Sequence, residues 1–210
     1  MDWTQWHTSY ENPDSHLAQR LTVVRQRIAQ VFDQLPKGPI RVASMCAGDG
    51  RDLLSVLQNH PRAKDVSGRL VELNPQMADR AREAAPSSIE VLCADAGNSN
   101  AYEGVAPVNL LLCCGVFGNI TEADIQNTIE NWSMLCAPKA RVIWTRGSFE
   151  PDIRNQIREW VKMADFEELS FDGVETRYGV GVAEMVRTGK SYQRGVRFFE
   201  FVPEKQEKLL

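Results

Sequence analysis

Carboxylates and glycines in this chain fall at the ends of short apolar runs, where their spacing suits a ligand that carries hydroxyl groups. The first such place is Met45-Cys46-Ala47-Gly48-Asp49-Gly50, which follows Ile40, Val42 and Ala43 and precedes a helical pattern. Glycines at 48 and 50 permit positive φ and let a ligand approach bare backbone. Unpaired N–H groups in the first turn of the next helix point at the same spot and favour anionic or hydroxyl groups. Glu72 ends a second run, 22 residues past Gly50. That is near the spacing of about 20 at which an acid meets the hydroxyls of a ribose. Two hydroxyls facing one carboxylate form a pair of charge-assisted hydrogen bonds. Asp95 ends a third run, and Cys114-Gly115-Val116-Phe117-Gly118-Asn119 a fourth.

The same residues argue against phosphate. A dinucleotide fingerprint needs glycine at 46, 48 and 51, and the chain has Cys46, Gly48 and Arg51; shifting the frame to Gly48 and Gly50 puts Leu53 third. No glycine loop is followed by Gly-Lys-Ser/Thr, so a phosphate-cradling loop is absent as well. A nucleoside ligand without a pyrophosphate fits the turn better. Arg51 opposes the helix dipole, which leaves two readings, a carboxylate partner from protein or cofactor, or simple surface exposure. Candidates for acid–base or orienting work are His7, Tyr10, Arg146 and Asp152. Arg146 follows the fifth apolar run directly and could grip an anionic acceptor with its guanidinium, or pair with Glu150 or Asp152. Five cysteines, at 46, 93, 113, 114 and 136, include no CxxC pair. Zinc and a disulfide framework are therefore not expected, and most of these thiols read as small buried hydrophobes.

Positioning these groups takes alternating strands and helices. Trp3, Trp6, His7 and Tyr10 share one helical face, as a docking stripe or as a lid that touches substrate. Ser15 caps a long helix with Leu17, Leu21, Val24, Ile28, Val31 and Leu35 on its apolar side, and Pro36-Lys37-Gly38-Pro39 ends it. Strands follow at 40–45, 66–72, 89–93, 108–114 and 140–145, with helices at about 50–59, from Pro75, at 121–136 and from Pro151 to about Ala164. Thr121 and Asp124 form a capping-box pair. The fourth strand is almost wholly apolar, as a central parallel strand buried on both faces should be. Residues 166–171 alternate, 173–185 are glycine-rich, and 194–202 read as a β-like run. Such an order predicts an α/β, doubly wound, Rossmann-like sheet with a late antiparallel strand and helices on both faces. Ligands of such sheets bind at the carboxyl ends of the strands.

The 210 residues suffice for one domain, with 1–36 as an N-terminal helical extension or lid, 37–203 as the body and 204–210 as a charged tail. A net charge of −4 gives no electrostatic reason for a nucleic-acid partner. There is no apolar run long enough to span a membrane, and Met1-Asp2-Trp3 does not open like a signal peptide, so cytoplasm is the expected compartment.

Val42-Ala43-Ser44-Met45-Cys46-Ala47-Gly48-Asp49-Gly50, with Glu72, Asp95-Ala96 and Cys113-Cys114-Gly115-Val116-Phe117, resembles the motif series of class I S-adenosylmethionine-dependent methyltransferases. The stretch Cys-Ala-Gly-Asp-Gly-Arg-Asp, together with Cys-Gly-Val-Phe-Gly-Asn-Ile and Trp-Thr-Arg, is similar to a little-characterised bacterial subgroup. The resemblance covers about residues 40–146. It implies a seven-stranded sheet, S-adenosylmethionine as cofactor and a small-molecule methyl acceptor. By the same resemblance Ser44, Cys46, Ala47, Gly48, Gly50 and Asp52 surround the methionine part of the cofactor. Glu72 and Leu73 stand at the ribose, Asp95 and Ala96 beside the adenine, and Cys114, Gly115 and Val116 along the cofactor. Two positions depart from the pattern: Ser44 stands where an acid is usual, and Cys46 where a glycine is. Asp49 or Asp52 could supply the missing charge. The alternatives are a non-catalytic binding module on the same fold and an NAD-dependent oxidoreductase. The 173–192 region and the N-terminal aromatic segment are expected to shape the acceptor pocket.

Overall fold

A computed structural model of the chain describes residues 12–173 and 175–202. His7, Tyr10, the rest of the N-terminal aromatic stripe and the charged tail lie outside the described residues. Among the described residues, α-helices and strands follow one another: α1 (His16–Gln34), β1 (Ile40–Met45), α2 (Leu53–Leu57), β2 (Val66–Glu72), α3 (Pro75–Ala84), β3 (Ile89–Cys93), β4 (Val108–Cys113), α4 (Glu122–Asn131), β5 (Cys136–Gly147), α5 (Arg154–Met163), β6 (Phe166–Asp172) and β7 (Tyr178–Met185).

The seven strands form one sheet in the order β3-β2-β1-β4-β5-β7-β6. β7 alone runs against its neighbours β5 and β6. This is the doubly wound sheet with a late antiparallel strand, and the order reverses between β1 and β4. Alternate residues of each central strand enter two separate cores. Ala43, Met45, Leu111, Cys113, Val142 and Trp144 pack with Ile125 and Ile129 of α4 and Ile157 and Val161 of α5. Val42, Leu110, Leu112 and Ile143 pack instead with Val24, Ile28 and Phe32 of α1, Leu53 and Leu57 of α2 and Ala81 of α3. A strand period of two thus places helices on both faces.

The caps are those the residue types call for. The Ser15 hydroxyl accepts from Ala18 N at 3.1 Å, and Asn74 and Thr121 do the same for Met77 N and Asp124 N. Element ends shift as compared with the periodicity. α2 keeps only 53–57 of 50–59, and α4 stops at Asn131, where a 3₁₀ turn (Trp132–Met134) feeds directly into a longer β5. Among the described residues no helix is long and apolar enough to cross a membrane.

Two expectations for the last third are overturned. The run 194–202 is not a strand: it makes one isolated bridge, Asn98 with Arg197. It crosses the loops at the carboxyl edge of the sheet, with Phe198 N donating to Gly97 O and Val202 N to Asn119 O. Its alternating aromatics serve to bury Phe198 and Phe199, each 1% exposed, beneath that crossing. The glycine-rich stretch, expected to shape a pocket as a loop, instead holds β7, whose residues are buried between β5 and β6. Its glycines make room for rings. A Cβ on Gly181 would stand 2.3 Å from the Trp144 indole, and one on Gly179 would stand 2.8 Å from the Phe171 ring.

Gly181→Ala should therefore destabilise the protein by about 3 kcal/mol, since overpacking a buried Trp has no cheap relaxation. Urea unfolding followed by tryptophan fluorescence measures this; an unchanged midpoint would contradict the packing of β7 on Trp144.

Candidate active site

The functional groups come together at the carboxyl ends of β1, β2, β3 and β4, around a cleft of about 1030 Å³, open mouth included. Beyond Met45 the chain must turn sharply. Cys46, Gly48 and Gly50 all take positive φ, at 52°, 58° and 72°. Ala47 N still donates to Val71 O, and Gly50 N closes a turn on Ala47 O, both at 2.9 Å. This turn exposes the backbone of Ala47 and Gly48 to the cleft. Cys46 occupies a left-handed conformation where a side chain costs about 1–2 kcal/mol relative to glycine. The departure from glycine at this position therefore leaves the turn's shape intact, at a cost in strain.

Glu72 joins this turn to the next strand end. Its Oε2 accepts from Gly48 N at 2.7 Å and its Oε1 from Asn74 N at 2.8 Å. The residue is only 6% exposed. Burial raises its pKa, and the backbone N–H groups of Asn74, Gly48 and Leu73 pull it back. Asp52 caps α2 through Leu53 N at 2.7 Å, and burial raises its pKa too. Arg51 finds its carboxylate next door: its Nε donates to Asp49 Oδ1 at 2.8 Å. Arg25 of α1 clamps the same loop, donating from Nε and Nη2 to Arg51 O at 3.0 and 2.8 Å.

At the third strand end Asp95 Oδ1 accepts from Gly97 N at 2.8 Å, and Oδ2 pairs with Arg197 of the C-terminal segment. Phe201, carried by that same segment, stands in the wall of the same cleft. At the fourth strand end Gly115 takes φ 76°, donates N–H to Thr145 Oγ1 at 2.8 Å, and accepts from Asn119 Nδ2 at 2.7 Å.

Of the residues singled out by sequence, Cys46, Ala47, Gly48, Asp52, Glu72, Leu73, Asp95, Ala96, Cys114 and Gly115 line the cleft. Three do not. Ser44 is 1% exposed inside β1, and Val116 is fully buried in the core on the α4 side. Gly50 packs against Leu54 and Leu70, and its role is to allow the turn. Arg146 is brought to the same edge of the sheet but is covered by Phe149, whose ring centroid lies 3.7 Å from its guanidinium carbon. It pairs with neither Glu150 nor Asp152; Asp152 is held by Arg154, with Nε–Oδ1 at 2.9 Å and Nη2–Oδ2 at 2.7 Å. That grip lowers the Asp152 pKa, which suits it poorly as a base. Burial pushes the thiols of Cys46, Cys113, Cys114 and Cys136 upward, so they stay protonated. Among the described residues no group of three or more His, Cys, Asp or Glu side chains is placed to hold a metal ion.

Sequence reasoning missed Arg20, Leu21 and Val24 of α1, Met77 of α3, and Phe201, all in the cleft wall. The apolar face of α1 was a readable signal for packing, with nothing to say that Arg20, Leu21 and Val24 also wall a cleft. Arg197 is 102 positions from Asp95, and no spacing rule connects them.

No protein-family model matches the sequence, and neither does any curated protein. Among solved structures the chain is similar to an O-methyltransferase family protein from Burkholderia thailandensis, at 15% identity and TM-score 0.60 over 87% of this chain and 63% of that one. It is similar to the carbon methyltransferase CurJ at 15% identity and TM-score 0.65, over 86% of this chain and 58% of that one. A third is 1,6-didemethyltoxoflavin-N1-methyltransferase from Burkholderia thailandensis, solved with 1,6-didemethyltoxoflavin and S-adenosylhomocysteine bound. There the identity is 14% and the TM-score 0.63, over 88% of this chain and 87% of that one. The chain thus spans less than two thirds of the length of the first two. The fold is that of class I S-adenosylmethionine-dependent methyltransferases.

The strained turn gives a direct test. Cys46→Gly should stay within about 1 kcal/mol of the parent, because relief of left-handed strain offsets the greater freedom of the unfolded chain. Cys46→Val should lose on the order of 2 kcal/mol, since a β-branched residue tolerates that region worst. Denaturant midpoints of the two variants check this; the reverse order would refute the left-handed turn.

Proposed function

We propose that the chain is an S-adenosylmethionine-dependent methyltransferase acting on a small-molecule acceptor. The observation that carries this reading is the state of Glu72: a buried carboxylate fixed by Gly48 N and Asn74 N at the edge of the cleft. A carboxylate offers about four acceptor positions, and the bonds from Gly48 N and Asn74 N, with the Leu73 N–H also acting on it, do not exhaust them, so Glu72 keeps capacity for a ribose hydroxyl. Asp95 likewise keeps capacity beside its bonds to Gly97 N and Arg197, enough for the exocyclic amine of an adenine next to Ala96.

The charge of the cleft supports a cationic ligand over a pyrophosphate. Asp49, Asp52, Glu72 and Asp95 line it, against Arg20 and Arg51, and Arg51 is engaged by Asp49. Gly48 N–H, which a dinucleotide fold would turn to a phosphate, is given to Glu72. This disfavours NAD. Asp49 and Asp52 stand close enough to the turn to face a ligand ammonium, in place of the acid absent at Ser44. The bound cofactor would bring the reactive sulfonium; the protein's part is to orient, desolvate and exclude water. α1 contributes by walling the cleft with Leu21 and Val24, and the C-terminal segment by closing its adenine side with Phe201.

Calorimetric titration with S-adenosylmethionine and S-adenosylhomocysteine, with NAD as control, tests the reading. Micromolar binding of both adenosyl ligands is expected, weakened at least tenfold by Glu72→Ala and by Asp95→Ala. Absence of adenosyl binding, or a preference for NAD, would overturn it.

A further inference from the structure

Arg146 is the one arginine in the described residues with two buried guanidinium nitrogens, Nε and Nη1, that have no hydrogen-bond partner. The residue is 6% exposed. Its nearest charges do not serve it. Asp152 is committed to Arg154, Glu122 is exposed at the start of α4, and no ion pair joins either of them to Arg146. A buried charge without a counter-ion is costly, and buried donors left unmade cost the full loss of their hydration. Such groups are rare in folded proteins, and a bound ligand is one of the things that complete them.

The surroundings are arranged for access. The ring of Phe149 lies over the guanidinium, yet Phe149 itself is 51% exposed, a large apolar side chain spent on covering a charge. Gly118 forms the opposite wall. A Cβ there would lie 3.2 Å from the Phe149 ring and 4.0 Å from Arg146 Nη1, so the absence of a side chain is what lets the ring lie over this corner. The corner also adjoins the cleft. Gly118 belongs to the same loop as Gly115, a cleft residue that is tied to Thr145, the immediate neighbour of Arg146 in β5.

We propose that Arg146 receives a carboxylate of the methyl acceptor, which enters by displacing the ring of Phe149. One guanidinium with no second unpaired cation beside it matches a single negative charge, and so a carboxylate rather than a dianionic phosphate. Arg154, the next cation, is already satisfied by Asp152 and by the carbonyls of Gly173 and Thr176. The inference rests on the methyltransferase reading for the word acceptor; the anion site itself does not.

The test uses the full chain, with and without saturating S-adenosylhomocysteine. Acetate, benzoate and phenylacetate are titrated at constant ionic strength, each beside its neutral amide. At least one acid should bind ten times or more tightly than its amide, and Arg146→Met should erase that preference while leaving S-adenosylhomocysteine affinity unchanged. Arg146→Lys should keep part of it. Because an apolar side chain relieves the buried charge, Arg146→Met should also melt at a higher temperature than the parent. Equal binding of every acid and amide, a preference that survives Arg146→Met, or a lower melting temperature or loss of folding in that variant would overturn the proposal. Acid preference without any S-adenosylhomocysteine binding would leave the anion site standing and remove the cofactor reading instead.

Discussion

The site depends on one buried carboxylate. Glu72 sits where β2 ends, and its two oxygens take the N–H groups of Gly48 and Asn74, from two different loops. One is a turn with positive φ at Cys46, Gly48 and Gly50, the other a short link into α3. Charge-assisted bonds to a single rigid acceptor fix both at once. Asn74 then acts twice, its N–H holding Glu72 and its Oδ1 capping α3 at Met77 N. The acid, the glycine turn and the helix start are in this way a single unit. Desolvation works against that unit by raising the Glu72 pKa, and the backbone donors are what keep a carboxylate tolerable there.

The far half of the edge is held by rings. Trp144 stacks near Phe171 at 5.7 Å and packs near Phe117 at 6.1 Å, and Phe117 in turn stacks on Trp132 at 5.8 Å. This row lies between β5, β6 and α4, and it is the reason that β7 carries glycine at 179 and 181. A second tie crosses over the top. Asn127 Nδ2 donates to the carbonyls of Arg197 and Phe198, which pins the C-terminal segment to α4 while Arg197 reaches back to Asp95.

Much of this was legible in the sequence. β1 to β4 show themselves as apolar runs stopped by glycine or acid, because burial on both faces demands apolar residues and the turns that leave the strands take glycine or an acid held by backbone N–H groups. Ser15, Asn74 and Thr121 mark helix starts because their side chains answer a local need. The last third was harder to read, since its signals answer distant needs. Glycine in β7 resembles loop glycine until Trp144 is seen against it. Alternating aromatics at 196–201 resemble a strand, although their partners are a loop and a helix. Arg51 and Arg146 look alike on paper. One has Asp49 two residues away, and the other is enclosed by residues from β5, the β4–α4 loop and Phe149, none of which carries a counter-charge within reach.

Both unusual features of the edge concern charge that the protein does not balance alone. On the cleft side two buried acids, Asp52 and Glu72, have pKa values raised by desolvation. An acid whose folded pKa lies above its unfolded value loses stability as pH rises from the unfolded pKa to the folded one, and the penalty persists at neutral pH. A ligand bearing positive charge would repay that penalty on binding. At the Phe149 corner the sign is opposite: a guanidinium is stripped of water and its pKa is lowered by that burial. A ligand bearing negative charge would repay this one. The two deficits lie at neighbouring strand ends, β1–β2 for the acids and β5 for the arginine, with the Gly115–Asn119 loop between them. Desolvation outweighs the partial compensation at both places, from Arg25 toward Asp52 and from Asp152 and Glu122 toward Arg146, so each would gain stability from a ligand of the opposite sign.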